Sequence, residues 1–387
     1  LENRVENWQR GGFGLYLHWP FCQAKCPYCD FNSHVAQRID QDRWAAAYLS
    51  ELDRLAEQTG DRILGSVFFG GGTPSLMEPR IVGAILDRIG RNWRLRNYFE
   101  VTLEANPTSI EADRFTGYRQ AGVNRVSMGM QALNDGDLRK LGRLHSVDEG
   151  LKAFDIARNA FDRVSFDLIY ARQDQTPEDW RAELRQALDL CADHLSLYQL
   201  TVEDGTAFGD RLARGGLRGL PDEDRSAEMY EITQELTAAA GLPAYEISNH
   251  AVAGAESRHN LIYWRSGDWI GIGPGAHGRL EFEGRRYATE APKAPGAWLS
   301  KVENGQGGEL DRVDLDALEG FEERLMMGLR LREGVEVSME GCPDAAGFAR
   351  RVDGLVELGL LRREQDRLVA TEAGRPILNG ILRELLA

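Results

Sequence analysis

The stretch HWPFCQAKCPYCDF, residues 18–31, puts Cys22, Cys26 and Cys29 within eight residues, directly after a β-rich run at Phe13–Trp19. Thiolates are soft ligands suited to zinc or to iron–sulfur clusters. Three on one loop can cap three irons of a [4Fe–4S] cluster and leave the fourth iron open to bind and reduce a ligand. A structural site is normally closed by a fourth protein ligand. His34, five residues beyond Cys29, is placed to close a zinc site, so zinc stays open as the alternative. The two other cysteines, Cys191 and Cys342, stand alone and read as buried structural thiols. An odd count with this clustering is not a secreted disulfide framework.

Outward from this loop, β-rich runs alternate with amphipathic stretches. Strands are predicted at Phe13–Trp19, Arg62–Phe69, Tyr98–Glu104, Asn124–Gly129, Arg163–Tyr170 and His194–Leu200. After the first, Trp44, Tyr48, Leu52 and Leu55 recur at spacings of four, four and three, while Asp42, Arg43, Glu51 and Arg54 fall elsewhere, as in a helix with one buried face. Connections this long imply parallel strands with crossover helices. Six such units are too few for an eight-fold barrel, so a partial barrel and an open doubly wound sheet both fit. Gly71, Gly72 and Thr73 follow the second strand, where glycines let backbone groups approach a ligand closely; a tight turn is the plainer reading. Glu104 ends the third strand, at the rim where barrel ligands bind, or serves as a helix cap or salt-bridge partner.

Past Ala207 the alternation breaks. A helix is predicted over Asp224–Ala240 and a strand over Leu242–Ser248, before the Gly- and Trp-rich YWRSGDWIGIGPGAHG at 263–278. Segment 291–308 reads as a linker, dividing a main domain at 1–290 from a smaller one at 309–387. The latter carries helices around Leu315–Leu331 and Asp344–Leu358, then a pair of short strands within LVELGLLRREQDRLVATEAG at 355–374. Thr371 is the candidate N-cap of a final helix, and the whole is winged-helix-like.

Of the 387 residues, 42% are apolar and 28% charged, the profile of a folded protein that needs no disulfides to hold a core. Lys+Arg total 46 against 61 Asp+Glu, a formal charge of -15. That balance argues against a nucleic-acid or anionic-membrane binder and turns the winged-helix-like tail toward protein docking. No apolar run approaches the length of a membrane span, and the polar start LENRVENWQR does not read as a signal peptide. The missing initiator Met points to trimming or a cloning scar. A cytoplasmic protein is expected.

The C-x3-C-x2-C run resembles that of the radical S-adenosylmethionine (SAM) superfamily and, more narrowly, of the oxygen-independent coproporphyrinogen III oxidase-like family. Tyr16, His18, Pro20, Phe21, Asp30 and Phe31 around it match, as do FFGGGTPS (68–75), LEANP (103–107), GVNRVSMGMQ (122–131), LGRLHS (141–146), YEISN (245–249) and RHNLIYW (258–264). The similarity covers most of the chain. It implies an α/β fold: a partial (β/α)6 radical SAM barrel followed by the smaller winged-helix-like α+β domain. It implies a [4Fe–4S] cluster on Cys22, Cys26 and Cys29, with SAM chelating the open iron and cleaved by the reduced cluster to a 5′-deoxyadenosyl radical. Tyr16, Tyr28, Gly71, Gly72, Thr73, Glu104, Gln131, Arg143 and Asp167 then surround SAM, with Arg143 suited to its carboxylate. His18 takes a place near the cluster and His145 supports Arg143. An electron donor such as a flavodoxin or ferredoxin is implied as well.

Phe31 separates two branches. In the oxidases a fourth cysteine stands at that position, and an amino-terminal extension precedes the first strand, where this chain has twelve residues. The CDFNSH run instead resembles the HemW branch, regarded as haem chaperones that bind haem and pass it to acceptor proteins. A coproporphyrinogen III oxidase-type enzyme and a zinc-stabilised interaction protein are the alternatives. Haem needs an axial ligand and an apolar slot. His250, His259 and His277 lie near Tyr263, Trp264 and Trp269; His259 is the first candidate ligand and His250 the second. One departure stands out: after Asp167 the family shows a Gly-Leu-Pro-Gly-Gln-Thr turn, and this chain has ARQDQT at 171–176. A homodimer is the default oligomer.

Overall fold

The computed structural model describes residues 6–108, 113–191 and 193–387; Leu1–Val5, at the start of the stretch read for a signal peptide, lie outside it. Six strands, β1 (Phe13–Trp19), β2 (Ile63–Gly71), β3 (Arg94–Ala105), β4 (Arg125–Gln131), β5 (Arg163–Tyr170) and β6 (His194–Gln199), pair in parallel and in chain order. A doubly wound sheet reverses its order at a switch point. This one does not, so of the two architectures the partial barrel is the one present.

The sheet continues past both ends of the barrel. β7 (Asn249–Ala251) pairs antiparallel with β6, while β8 (Asp268–Ile272) lies parallel to β1. Beyond β8 come β9 (His277–Phe282), β10 (Arg285–Glu290) and β11 (Val313–Leu315), all antiparallel. Arg62, just before β2, forms a buried ion pair with Asp268 of β8, which fixes the extension against the barrel. Strands covered on both faces are nearly continuous in apolar residues, and β1 is buried throughout except at Tyr16. The crossover helix Gln41–Thr59 buries the stripe of Trp44, Tyr48, Leu52 and Leu55, and Asp40 caps it by accepting from Arg43 N.

Two sequence expectations change. Leu242–Ser248 is not a strand; its backbone bends, and β7 follows it. The Glu246 carboxylate explains this by accepting from Ile247 N at 2.5 Å and Ser248 N at 3.3 Å, which diverts those donors from a strand ladder. Segment 291–308 is not a slack connection either. Pro295 opens a helix, Pro295–Glu303, in keeping with proline at the first helical position. That helix sinks Trp298, Leu299 and Val302 into the main core, and Trp298 stacks on Trp44 with ring centroids 5.5 Å apart and planes 4° from parallel.

The carboxy-terminal part has its own core around Phe321, Leu325, Phe348, Val352, Leu355 and Ile381. It consists of helices Ala317–Gly328, Ala345–Glu357 and Leu378–Leu385 with a three-stranded sheet, ordered Val335–Glu336, Arg367–Ala370, Leu361–Glu364. Thr371 Oγ1 accepts from Gly374 N, capping a turn that leads through a 3-10 segment at Arg375–Ile377, so the final helix starts later than a Thr371 N-cap would place it. Ion pairs Arg279–Glu323 at 2.7 Å and Arg265–Glu333 at 2.9 Å join this core to the barrel extension. Among the described residues no helix is long and apolar enough to cross a membrane.

Trp298→Ala should lower unfolding stability by about 3–5 kcal/mol in urea titrations, the range for losing a buried aromatic; a loss well under 1 kcal/mol would mean that the helix is only loosely held.

Candidate cofactor site

Parallel pairing brings the carboxyl ends of β1–β5 to one rim, and the cysteine loop lies across it. Phe21–Cys22 pairs with His34–Val35, so the loop closes on itself before the chain enters its first long helix. Cys22, Cys26 and Cys29 line one cavity of about 160 Å³, together with Tyr28, Gly71, Gly72, Thr73, Glu104, Gln131, Arg143 and Asp167. Of the side chains expected around SAM, Tyr16 alone is elsewhere: it lines a larger neighbouring cavity and shares a hydrogen bond with His18 at 3.0 Å.

Each sulfur has a polar neighbour. Thr73 Oγ1 donates to Cys22 Sγ at 3.4 Å, Arg143 Nη1 to Cys26 Sγ at 3.5 Å, and Ser33 Oγ lies 3.9 Å from Cys29 Sγ. Hydrogen bonds to sulfur are among the means by which proteins tune iron–sulfur clusters. Burial raises the thiol pKa of Cys22 and Cys29, so loading a metal releases protons there. A mononuclear zinc needs several ligands converging on one point. Among the described residues no three His, Cys, Asp or Glu side chains do so, and His34 pairs with Asn32 Oδ1 at 3.1 Å. Three thiols lining one cavity are a donor set that suits an iron–sulfur cluster.

Two glycines are required on steric grounds. Gly71 has φ 111°, and a Cβ there would meet the His18 ring at 2.6 Å; one on Gly72 would meet Phe21 O at 2.8 Å and Cys22 Sγ at 3.0 Å. Gly71 N donates to Glu104 Oε2 at 3.3 Å. Burial raises the Glu104 carboxyl from 4.5 to about 8, with Asp167 adding to the shift, and raises Asp167 from 3.8 to about 6. Arg125, itself buried, opposes both shifts and donates to Ser165 Oγ at 2.9 Å. Gln131 Nε2 donates to Asp167 Oδ2 at 3.0 Å. Such a pair of half-buried, desolvated acids on one cavity suits a cationic ligand.

Arg143 supplies the opposite charge. Its Nη2 donates to Asn106 Oδ1 at 2.7 Å and Gly129 O at 2.8 Å, while its Nε is buried without a partner. An orphaned guanidinium donor on the cavity wall suits a carboxylate. Asn106 also donates to Thr73 Oγ1 at 3.2 Å, linking β3 to the glycine loop. Neither Asn106 nor Arg125 was singled out from sequence, although both lie inside matched motifs. His145 has its ring near Met130 O at 3.3 Å, so it holds the Arg143 loop against the end of β4.

The ARQDQT departure forms a turn with two left-handed residues. Ala171 has φ 56° and Asp174 φ 61°, the left-handed conformations that favour glycine, at the two positions where relatives carry it. Arg172, 2% exposed, ties the turn down: its Nη1 donates to Ile169 O at 2.6 Å, and its guanidinium pairs with Asp137 at 2.8 Å and Glu183 at 2.5 Å. Asp167 therefore sits above an intact turn.

The larger cavity, about 700 Å³, adjoins the first and shares Lys25, Phe31, Ser33, Gly71 and Glu104 with it. Tyr263, Trp269 and Met327 add apolar wall, and His18, His34 and His277 also line it. His259 stands one side chain behind this wall. Its Nδ1 pairs with Ser66 Oγ at 2.9 Å and its Nε2 with Tyr263 OH at 2.6 Å, so as arranged neither nitrogen is free for a metal. Burial drops its pKa to about 3. His250 is fully buried on β7 and lines neither cavity; burial lowers its pKa to about 4.

A family model for the radical SAM superfamily matches residues 16–187. The haem chaperone HemW of Escherichia coli is 37% identical over 382 residues, covering 96% of this chain and 98% of that protein. HemW of Mycobacterium tuberculosis is 36% identical over 378 residues, covering 97% and 95%. The mitochondrial radical S-adenosyl methionine domain-containing protein 1 of Mus musculus is 39% identical over 384 residues, covering 96% and 87%. Among solved structures, the coproporphyrinogen III oxidase HemN of Escherichia coli superposes with a TM-score of 0.81 at 20% identity, covering 96% of this chain and 89% of that one, which establishes the shared fold.

Two outcomes are expected. The folded protein holds the Glu104 proton to higher pH than the unfolded chain does, so this group's contribution to stability falls as pH rises from about 4.5 to about 8. Urea unfolding of the cluster-free protein should show the decline, and Glu104→Gln should flatten it above about pH 6, beyond the contribution of Asp167; an unchanged slope there would remove Glu104 as its source. Ala171→Gly should stabilise the fold by about 0.5–1 kcal/mol through relief of left-handed strain, less the added freedom of the unfolded chain, whereas a destabilisation would show that the turn carries no strain.

Proposed function

Because the chain belongs to the radical SAM superfamily, within the HemW branch of the coproporphyrinogen III oxidase-like family, we propose that it is a haem chaperone that binds haem and transfers it to an acceptor protein. Near-full-length similarity to HemW proteins is the observation that carries this reading. The larger cavity supports it: its volume falls within the roughly 300–1,000 Å³ of small-molecule sites, and Phe31, Tyr263 and Trp269 offer aromatic faces to a macrocycle.

In this reading Cys22, Cys26 and Cys29 hold a [4Fe–4S] cluster, which when bound supplies one-electron reducing power to SAM on its open iron. The chain's own residues bind and orient. Arg143 takes the SAM carboxylate, Glu104 and Asp167 face its positive charge, and the backbone of Gly71, Gly72 and Thr73 admits it closely. Tyr28 and Gln131 complete the wall, with Tyr16 on the side of the larger cavity. His259 becomes a haem ligand only when Tyr263 releases it, and His250 only with a rearrangement of β7. The proposal includes a flavodoxin- or ferredoxin-type electron donor, a homodimer, no nucleic-acid partner and a cytoplasmic setting, where free thiols persist.

The cavity shared by the three cysteines and most residues expected around SAM also favours a second reading, a radical enzyme of the coproporphyrinogen III oxidase type. One experiment separates the two. Anaerobically reconstituted protein should bind haem stoichiometrically and show no coproporphyrinogen III turnover, and Cys22→Ala should abolish the cluster. Haem binding no tighter than to an unrelated acidic protein would sink the chaperone reading; 5′-deoxyadenosine formed only with coproporphyrinogen would favour the enzyme.

A further inference from the structure

Arginine outnumbers lysine in this chain by 41 to five. Three of the lysines have surface partners: Lys140 lies 3.0 Å from Asp174, Lys152 lies 2.6 Å from Asp148, and Lys301 donates to Gln306 O at 3.2 Å. The other two, Lys25 and Lys293, have neither an ion pair nor a side-chain hydrogen bond among the described residues. Both line the 700 Å³ cavity. The chain as a whole carries a formal charge of -15. Two unpaired ammonium groups on one cavity are therefore a concentrated positive feature in an acidic molecule.

Both side chains are exposed to solvent, and the loops that carry them are joined. Lys25 rides on the cysteine loop between Cys22 and Cys26, and Lys293 follows β10 on the opposite side of the chain's path. Asn32 joins the two loops: its Nδ2 donates to Lys293 O and to Pro274 O, each at 2.9 Å. His18 Nε2 donates to Asn32 O at 2.9 Å, since a carbonyl only accepts, and this ties the bracket to β1. Apolar groups, Phe31, Trp269 and Met327, line the same cavity. Asp30 and Glu104 are its acids, and Glu104 is already engaged by Gly71 N. The ligand suited to such a cavity is apolar over its face and carries carboxylates at its edge. A lysine ammonium, a compact charge on a flexible stem, meets such carboxylates without a fixed bidentate geometry.

We propose that Lys25 and Lys293 clamp the two propionate carboxylates of haem held in this cavity, an inference that rests on the haem-chaperone reading. The test uses the full-length reconstituted protein, titrated with haem and with haem dimethyl ester, which keeps the macrocycle and loses both charges. Wild type should prefer the diacid by about tenfold or more, each lost charge-assisted contact being worth on the order of tenfold. Lys25→Ala with Lys293→Ala should erase the preference while the ester still binds, and Lys140→Ala should leave it intact. Lys293→Gln alone, outside the cysteine loop, should lose part of the preference and covers the case in which the double variant fails to hold its cluster. Equal binding of both ligands by wild type, or a preference that survives in the lysine variants, overturns the clamp and leaves haem binding standing. Binding of neither ligand by wild type overturns the haem reading itself, and the clamp with it.

Discussion

Parallel pairing of β1 through β6 sends every one of those strands out at the same rim, and that rim is where charge is costly to house. Glu104 and Asp167, both half-buried on one cavity, lie within electrostatic reach of one another and of Arg125, and Arg143 lines the same cavity. Left alone, the acids hold their protons well above the usual range, and Arg143 keeps a donor without a partner. A ligand with a positive and a negative end, both on the same side of the molecule, relieves both at once. The glycine loop, the cysteine loop and Asn106 are arranged around that unresolved electrostatics rather than the reverse. Trp19 at the end of β1 meanwhile packs with Trp44 and Tyr48 in the main core, and Trp298 stacks on Trp44.

How much of this was legible in the chain differs by the range over which each signal acts. The cysteine spacing is local chemistry and marks its loop without help from tertiary structure. The parallel strands announce themselves as apolar runs because both faces are buried. Leu242–Ser248 looked the same but fails as a strand, because one carboxylate, that of Glu246, captures the neighbouring N–H groups, and no periodicity encodes that. Segment 291–308 reads as a linker from its composition, yet Pro295 opens a helix there, held by Trp298 against Trp44, a partner far away in sequence. His259 carried the look of a free ligand because its motif is aromatic, yet Ser66, from another strand, occupies one of its nitrogens. Contacts between distant segments were what the sequence withheld.

The turn after β5 makes the complementary point. All four residues from 171 to 174 differ from the turn of the family it resembles, and two of them, Ala171 and Asp174, are left-handed. Arg172 accounts for this: by capping Ile169 O and joining Asp137 to Glu183 it holds Ala171 and Asp174 in conformations that they would not choose alone. Arg172 thus holds the left-handed backbone that glycine would favour, and Asp167 lines the cofactor cavity above it.

Met327 gives the larger cavity a different character from the smaller one. The smaller is enclosed by barrel and loop residues that share one core. The larger has one wall, Met327, on helix Ala317–Gly328, which packs in the separate carboxy-terminal core and meets the barrel extension through ion pairs such as Arg279–Glu323. It is a seam between two bodies and not a pit in one. A pit must be emptied through its mouth, against the walls that made it; a seam can part along its length, exposing an edge of its contents to whatever protein is already docked alongside.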